Sequence, residues 1–111
     1  MEFRRIAADY AVSGQIRPED ADAIRQAGFR SVVCHRPDNE DPGQPSVETI
    51  RAAAQKAGLE FRHIPVSGGQ FPPEAVAAMR AALEELPGPV FAYCRSGARS
   101  TNIYALARTQ A

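Results

Sequence analysis

The sequence predicts an α/β domain with a largely parallel central sheet flanked by helices. Three observations carry that prediction. Short apolar runs alternate with stretches whose apolar residues recur every three or four positions, the rhythm of strand–helix–strand units. Two helical stretches stop at a glycine, Gly28 and Gly58, and a strand-like run follows each stop. The last apolar run, Pro89 to Tyr93, leads into Cys94-Arg95-Ser96-Gly97-Ala98-Arg99-Ser100 and then into another helical pattern.

The elements follow in order. Phe3 to Ile6 and Tyr10 to Ser13 read as short strands. Pro18 to Ala27 reads as a helix, with proline in its first turn and Glu19, Asp20 and Asp22 near its positive end. Arg30 to Cys34 is a strand centred on Val32 and Val33. Ser46 caps a helix running to Ala57, with Val47, Ile50, Ala54 and Ala57 on one face. Glu60 to Ile64 is a strand, and Pro72 to Leu86 a helix with Val76, Met79, Leu83 and Leu86 at helical spacing. Val90 to Tyr93 is the last strand, and Ser100 starts the last helix. The pattern is still helical at Ala111, so a single domain of 111 residues cut from a longer or fused protein is expected.

The composition narrows the function. The formal net charge is zero and no basic stripe stands out, which argues against nucleic acid as a partner. No apolar run can span a membrane, and MEFRRIAADY lacks the apolar core of a secretory signal. Two cysteines make no disulfide framework, which points to a reducing cytoplasm. His35 and His63 show no ligand spacing, and no metal or cofactor is expected.

Ligands of such sheets bind beyond the C-terminal ends of the strands. Three loops lie there: His35 to Pro45, Pro65 to Phe71, and the cysteine loop. Cys94 reads as a nucleophile. A free thiol has a pKa of about 8.5, which a helix N-terminus and neighbouring cations lower. Successive N–H groups from Arg95 through Ser96, Gly97 and Ala98 to Arg99 can form an anion-binding nest. Gly97 lets the backbone come close, Arg99 supplies a planar fork for an oxyanion, and Ser100 can donate to the thiolate or cap the helix.

The stretch Cys94 to Ser100 resembles two kinds of active-site loop: that of the cysteine phosphatases and that of rhodanese-type sulfurtransferases, which often begins Cys-Arg-x-Gly. Val12-Ser13-Gly14-Gln15, Arg36-Pro37-Asp38-Asn39-Glu40, Pro42-Gly43-Gln44-Pro45-Ser46, His63-Ile64-Pro65-Val66 and the Cys94 loop extend the likeness over nearly the whole chain. Together they resemble the phosphatase-like domain of beta-lactamase-hydrolase-like proteins, also known as domain of unknown function 442. The resemblance implies a cysteine-phosphatase-like fold. It also implies a domain found alone or fused to a persulfide dioxygenase.

Within that resemblance the residues favour sulfur over phosphate. Four residues separate Cys94 from Arg99, where phosphatases have five and rhodaneses match the shorter length. A phosphoryl group needs three oxygens held during in-line displacement, whereas a sulfane sulfur is one atom. Phosphatases of this fold place an aspartate after a segment like Ile64-Pro65-Val66; here Ser67-Gly68-Gly69-Gln70 offers no acid, and Asp38, Asp41 and Glu74 are the substitutes. Tyr93 stands where the phosphatase pattern has histidine. The expected activity is therefore sulfur transfer from a small anionic donor, thiosulfate or glutathione persulfide, to a thiol, sulfite or cyanide through a Cys94 persulfide. The alternative is a tyrosine or dual-specificity-like phosphatase with a Cys94 phosphocysteine. A silent module docking anions or a partner protein is the third class.

Four further readings stay open from sequence. Arg95 either orients the donor or points outward into a salt bridge. Arg36 either binds the anionic donor or pairs with Asp38, Glu40 or Asp41. Cys34 either packs or resolves a Cys94 persulfide. The acidic loop Asp38 to Asp41 is expected to be solvated.

Overall fold

Neighbouring side chains along the three inner strands enter two different cores, and this alternation sets the architecture. The computed structural model describes residues 1–109. Its elements are β1 (Arg4–Ala7), β2 (Tyr10–Ser13), a 3-10 turn (Pro18–Asp20) running into α1 (Ala21–Gln26), β3 (Ser31–Cys34), α2 (Val47–Lys56), β4 (Glu60–His63), α3 (Pro73–Glu85), β5 (Val90–Tyr93) and α4 (Ala98–Thr109). One sheet holds the strands in the order β1-β2-β5-β3-β4. Four strands are parallel, and β1 alone runs antiparallel, along β2.

On one face, Tyr10, Val12, Val33, Val90 and Ala92 pack with Val76 and Met79 of α3 and Ile103 and Ala107 of α4. On the other, Ala11, Val32, Phe91 and Tyr93 pack with Ile24 of α1 and Val47, Ile50 and Ala54 of α2. Burying such side chains contributes about 1.5–3 kcal/mol each, which is what holds helices to both faces. Phe3, Phe29 and Phe91 meet edge to face, with ring centroids 5.3 to 5.7 Å apart.

Several boundaries differ from the pattern by a residue or more, three of them for evident local reasons. The first strand is Arg4–Ala7, because Phe3 turns into the aromatic trio instead of pairing. The first helix opens as a 3-10 turn: the Asp20 N–H reaches back only to the Arg17 carbonyl, and the Asp20 carboxylate takes the Arg17 N–H at 2.8 Å. The last helix starts at Ala98 rather than Ser100, since the Thr101 N–H and hydroxyl both donate to the Gly97 carbonyl at 3.0 and 2.9 Å. Ser46 caps α2 as expected, its hydroxyl accepting from the Thr49 N–H at 3.1 Å.

The expectation about the chain's end at Ala111 lies outside the described residues. Among those described, no helix is long and apolar enough to cross a membrane. The parallel order brings the ends of β3, β4 and β5, and the loops that follow them, to one edge of the sheet.

Candidate active site

β5 delivers Cys94 to that edge, and the chain must turn at once to start α4. Gly97 makes the turn with φ of 96°, a conformation that side-chain-bearing residues rarely adopt. The turn points the Gly97 N–H back at Cys94 Sγ, 3.0 Å away. β2 supports the loop from beside it. The Cys94 N–H donates to the Ser13 carbonyl at 3.3 Å, and a Cβ on Gly14 would stand 2.9 Å from the Arg95 carbonyl oxygen. Position 14 is thus closed to any larger residue unless the cysteine loop moves.

Cys94 is fully buried. Burial pushes its thiol up, but the N–H groups of Ser100, Ser96 and Gly97 and the Ser100 hydroxyl outweigh it, leaving the thiol below its ordinary value. Ser100 is itself held twice. Its carbonyl accepts from the Tyr10 hydroxyl at 2.9 Å, and its Oγ lies 2.7 Å from His35 Nδ1. Burial drives His35 down to about 3, helped by the nearby His63 and Arg99, so the ring is neutral at ordinary pH.

Arg99 ties the three loops together. Its Nη1 donates to Glu40 Oε2 and to the Val66 carbonyl, and its Nη2 donates to Glu40 Oε1, each at 2.8 Å. A guanidinium has five N–H donors. These contacts use three, so among the described residues the Nε–H and one Nη2–H remain for an anion. Hydrogen bonding to Arg99, aided by Arg36, holds the Glu40 carboxyl down at about 2, so it stays ionised and clamps the arginine.

Arg36 does not offer its charge to a ligand. Its side chain is only 4% exposed, and it donates to Glu40 Oε1 (2.8 Å), Gln15 Oε1 (2.9 Å) and Asp41 Oδ2 (2.6 Å). Of its two readings, pairing within the loop is the one the geometry shows. The acidic loop is accordingly not simply solvated, which corrects that expectation: Asp38 accepts the Val47 N–H at the start of α2, and Glu40 and Asp41 bind arginines. Arg95 lies outward, 65% exposed, with its Nε 3.1 Å from Asp41. Ser96 accepts from the Ala98 N–H at 3.4 Å, capping the loop's exit.

Cys34 is buried and free, as is Cys94. Burial raises its thiol, and it bonds to the Arg36 carbonyl at 3.3 Å, the arrangement of a packed residue. His63 Nε2 lies 3.0 Å from the same carbonyl, a structural contact. Among the described residues no three His, Cys, Asp or Glu side chains gather as a metal site. Two functional contacts escaped the sequence. His35 lacks ligand spacing in the sequence, yet it follows Cys34 at the end of the strand beside β5. Glu40 is marked locally as a partner of Arg36, but nothing local marks it as the partner of an arginine 59 residues away.

Comparison with known proteins gives a consistent family. The family model described as "Beta-lactamase hydrolase-like protein, phosphatase-like domain" matches residues 2–111. A beta-lactamase hydrolase-like protein of Agrobacterium fabrum is 36% identical over 106 residues, covering 96% of this chain and 25% of that protein. The chain spans about a quarter of the length of the curated relatives it matches. The crystal structure of a candidate phosphatase from Neisseria meningitidis superposes with a TM-score of 0.88 at 30% identity, covering 97% of this chain and 77% of that one. Kinase associated phosphatase, solved with its catalytic-site cysteine replaced by serine, gives a TM-score of 0.67 at 14% identity over 92% of this chain and 68% of its own, which shows the shared fold alone. The fold is therefore that of the cysteine phosphatases. These likenesses lean toward the phosphatase alternative, and the sulfur-transfer expectation draws no support from them.

Proposed function

This chain belongs to the family of phosphatase-like domains of beta-lactamase hydrolase-like proteins, and from that premise we propose that it is an enzyme with Cys94 as covalent nucleophile, whose reaction is sulfur transfer. The observation that carries the choice is the use made of the acids. Asp38 caps α2, Glu40 is clamped between Arg36 and Arg99, and Asp41 lies between Arg36 and Arg95. None of these three is free to give a proton to a leaving alkoxide or phenoxide, which phosphate ester hydrolysis wants, and Glu74, the remaining substitute, stands exposed in the first turn of α3. Thiosulfate has no such need, because sulfite leaves readily as an anion. The one-residue-shorter loop points the same way.

In the first step the Cys94 thiolate attacks the outer sulfur of thiosulfate. The S–S bond to the sulfonate sulfur breaks, its electron pair leaves with sulfite, and Cys94 becomes a persulfide anion. The N–H groups of Ser96, Gly97 and Ser100 that now face Sγ support the terminal sulfur, and the remaining Arg99 donors hold the sulfonate oxygens. In the second step an acceptor thiolate takes the terminal sulfur and restores the Cys94 thiolate. A groove of about 590 Å³ lined by Val66, Ser67, Gly68, Gly69 and Gln70 gives room for the body of a thiol such as glutathione. A persulfide dioxygenase, fused or docked, is the partner this chemistry suits.

The second reading is phosphate monoester hydrolysis through a phosphocysteine, favoured by the phosphatase relatives. Parallel assays of thiosulfate with cyanide or glutathione, and of an aryl phosphate, each with Cys94→Ser as control, separate the two. Turnover from thiosulfate, with one sulfur atom added at Cys94 by mass spectrometry and no phosphate release, supports sulfur transfer. Phosphate release without the persulfide overturns it in favour of the phosphatase.

A further inference from the structure

We propose that His35 is a positioning residue for the Cys94 thiolate: its Nδ1–H is accepted by Ser100 Oγ, which turns the Ser100 hydroxyl hydrogen onto Cys94 Sγ. The inference rests on Cys94 being the nucleophile. It goes further by naming a residue that never touches substrate and by fixing which ring nitrogen carries the proton.

The geometry is a chain of contacts across two loops. His35 is fully buried at the end of β3, with Nδ1 2.7 Å from Ser100 Oγ and Nε2 3.3 Å from Met79 Sδ. Ser100 is equally buried in the first turn of α4, directly after the Cys94 loop, and its hydroxyl is one of the groups that hold the Cys94 thiol down. Its backbone is fixed from the other side by the Tyr10 hydroxyl. A neutral imidazole has one N–H and so two choices. With the proton on Nε2, it meets only a thioether, a weak acceptor, and the Ser100 hydroxyl must donate to the bare Nδ1. Cys94 then loses that donor. With the proton on Nδ1, Ser100 Oγ accepts it and its own hydrogen goes to the thiolate. A hydrogen bond to an ionised sulfur is charge-assisted and outweighs a contact with a thioether, so ionisation of Cys94 selects the Nδ1–H form.

The charged and titratable groups around the chain do not substitute for this arrangement. His63 and Arg99 face His35, and both disfavour its protonation. Tyr10, Cys34 and Arg99 face Cys94. Among these, Arg99 is the permanent cation, and Glu40 occupies two of its arms.

The experiment measures the pH dependence of Cys94 alkylation by iodoacetamide, mapped by mass spectrometry so that Cys34 is read separately. Ser100→Ala and His35→Leu should each raise the Cys94 midpoint by about one pH unit, a tenfold loss of thiolate below both midpoints. His35→Asn, whose amide N–H can replace Nδ1–H, should recover most of that loss. The double variant His35→Leu/Ser100→Ala should match Ser100→Ala alone, because the two act in series. Nitrogen-15 spectra of the unaltered protein above the midpoint should show the proton on Nδ1. A midpoint that moves with Ser100→Ala but not with His35→Leu overturns the proposal, as does equal damage from leucine and asparagine. So does a proton on Nε2 in the thiolate form, and that spectrum decides the matter if the leucine variant fails to fold. None of these measurements needs a substrate, so inactivity toward both thiosulfate and aryl phosphate would sink the proposed function and leave this test intact.

Discussion

The cysteine loop and the acidic loop lie side by side and are built from opposite materials. Around Cys94 the working groups are backbone N–H donors, converging on one sulfur because Gly97 allows the turn. Around Glu40 they are side chains: two carboxylates gather Arg36, Arg95 and Arg99. The first arrangement is set by the shape of the backbone turn. The second is saturated by its own counter-charges and serves to aim Arg99. One loop makes the site, and the other holds it still.

Removing the sulfur breaks the comparison most severely. Cys94→Ser should cost roughly a thousandfold or more in turnover with little change in the urea midpoint, because the nucleophile goes and the scaffold stays. Glu40→Gln tests the other side. It leaves Arg36 buried with a weakened partner and frees Arg99, so stability should fall by about 2–3 kcal/mol in urea unfolding, together with turnover.

Acid separates the two regions by pH. His35 is a base whose folded pKa is depressed, so the unfolded chain binds the extra proton first. Its stabilisation is complete above about pH 6.5 and is lost as pH falls toward 3. Between pH 7 and pH 5 this amounts to about 2 kcal/mol, read by urea unfolding at each pH, and His35→Asn should flatten the slope. Glu40, a depressed acid, acts later: its contribution is present above the ordinary carboxylate range and disappears as pH drops through about 2. A loss of stability confined below pH 4 would show that His35 is not the group responsible.

Gly97→Ala should destabilise by about 1 kcal/mol through its positive φ, and slow Cys94 alkylation more than that figure suggests, since the N–H that faces Sγ moves with it. Ser46→Ala is the control at the far end of the scale. It removes a helix cap worth about 1 kcal/mol and should leave turnover untouched.

Much of this was legible in the sequence because it is local. The spacing of Val76 and Met79, the alternation in Val90–Tyr93 and the cap at Ser46 each depend on a few neighbouring residues. The strand-to-helix turn at Cys94 is equally local, and its family resemblance follows from consecutive residues. What the sequence withheld is pairing across loops. Arg36 and Arg99 look alike as letters; only the fold shows that one is buried among Gln15, Glu40 and Asp41 while the other bridges Glu40 and the Val66 carbonyl. His35 needed the register of β3 beside β5, where Cys34 stands opposite Tyr93, before its link to Ser100 could appear.

The bridging of three loops by Arg99 has a practical consequence. Its partners Glu40 and Val66 come from segments that are far apart along the chain, and neither can find the guanidinium until β3, β4 and β5 stand together. On the proposed function, a split into two fragments between Lys56 and Val90 separates Glu40 from Arg99 and is expected to silence turnover until the halves reassemble.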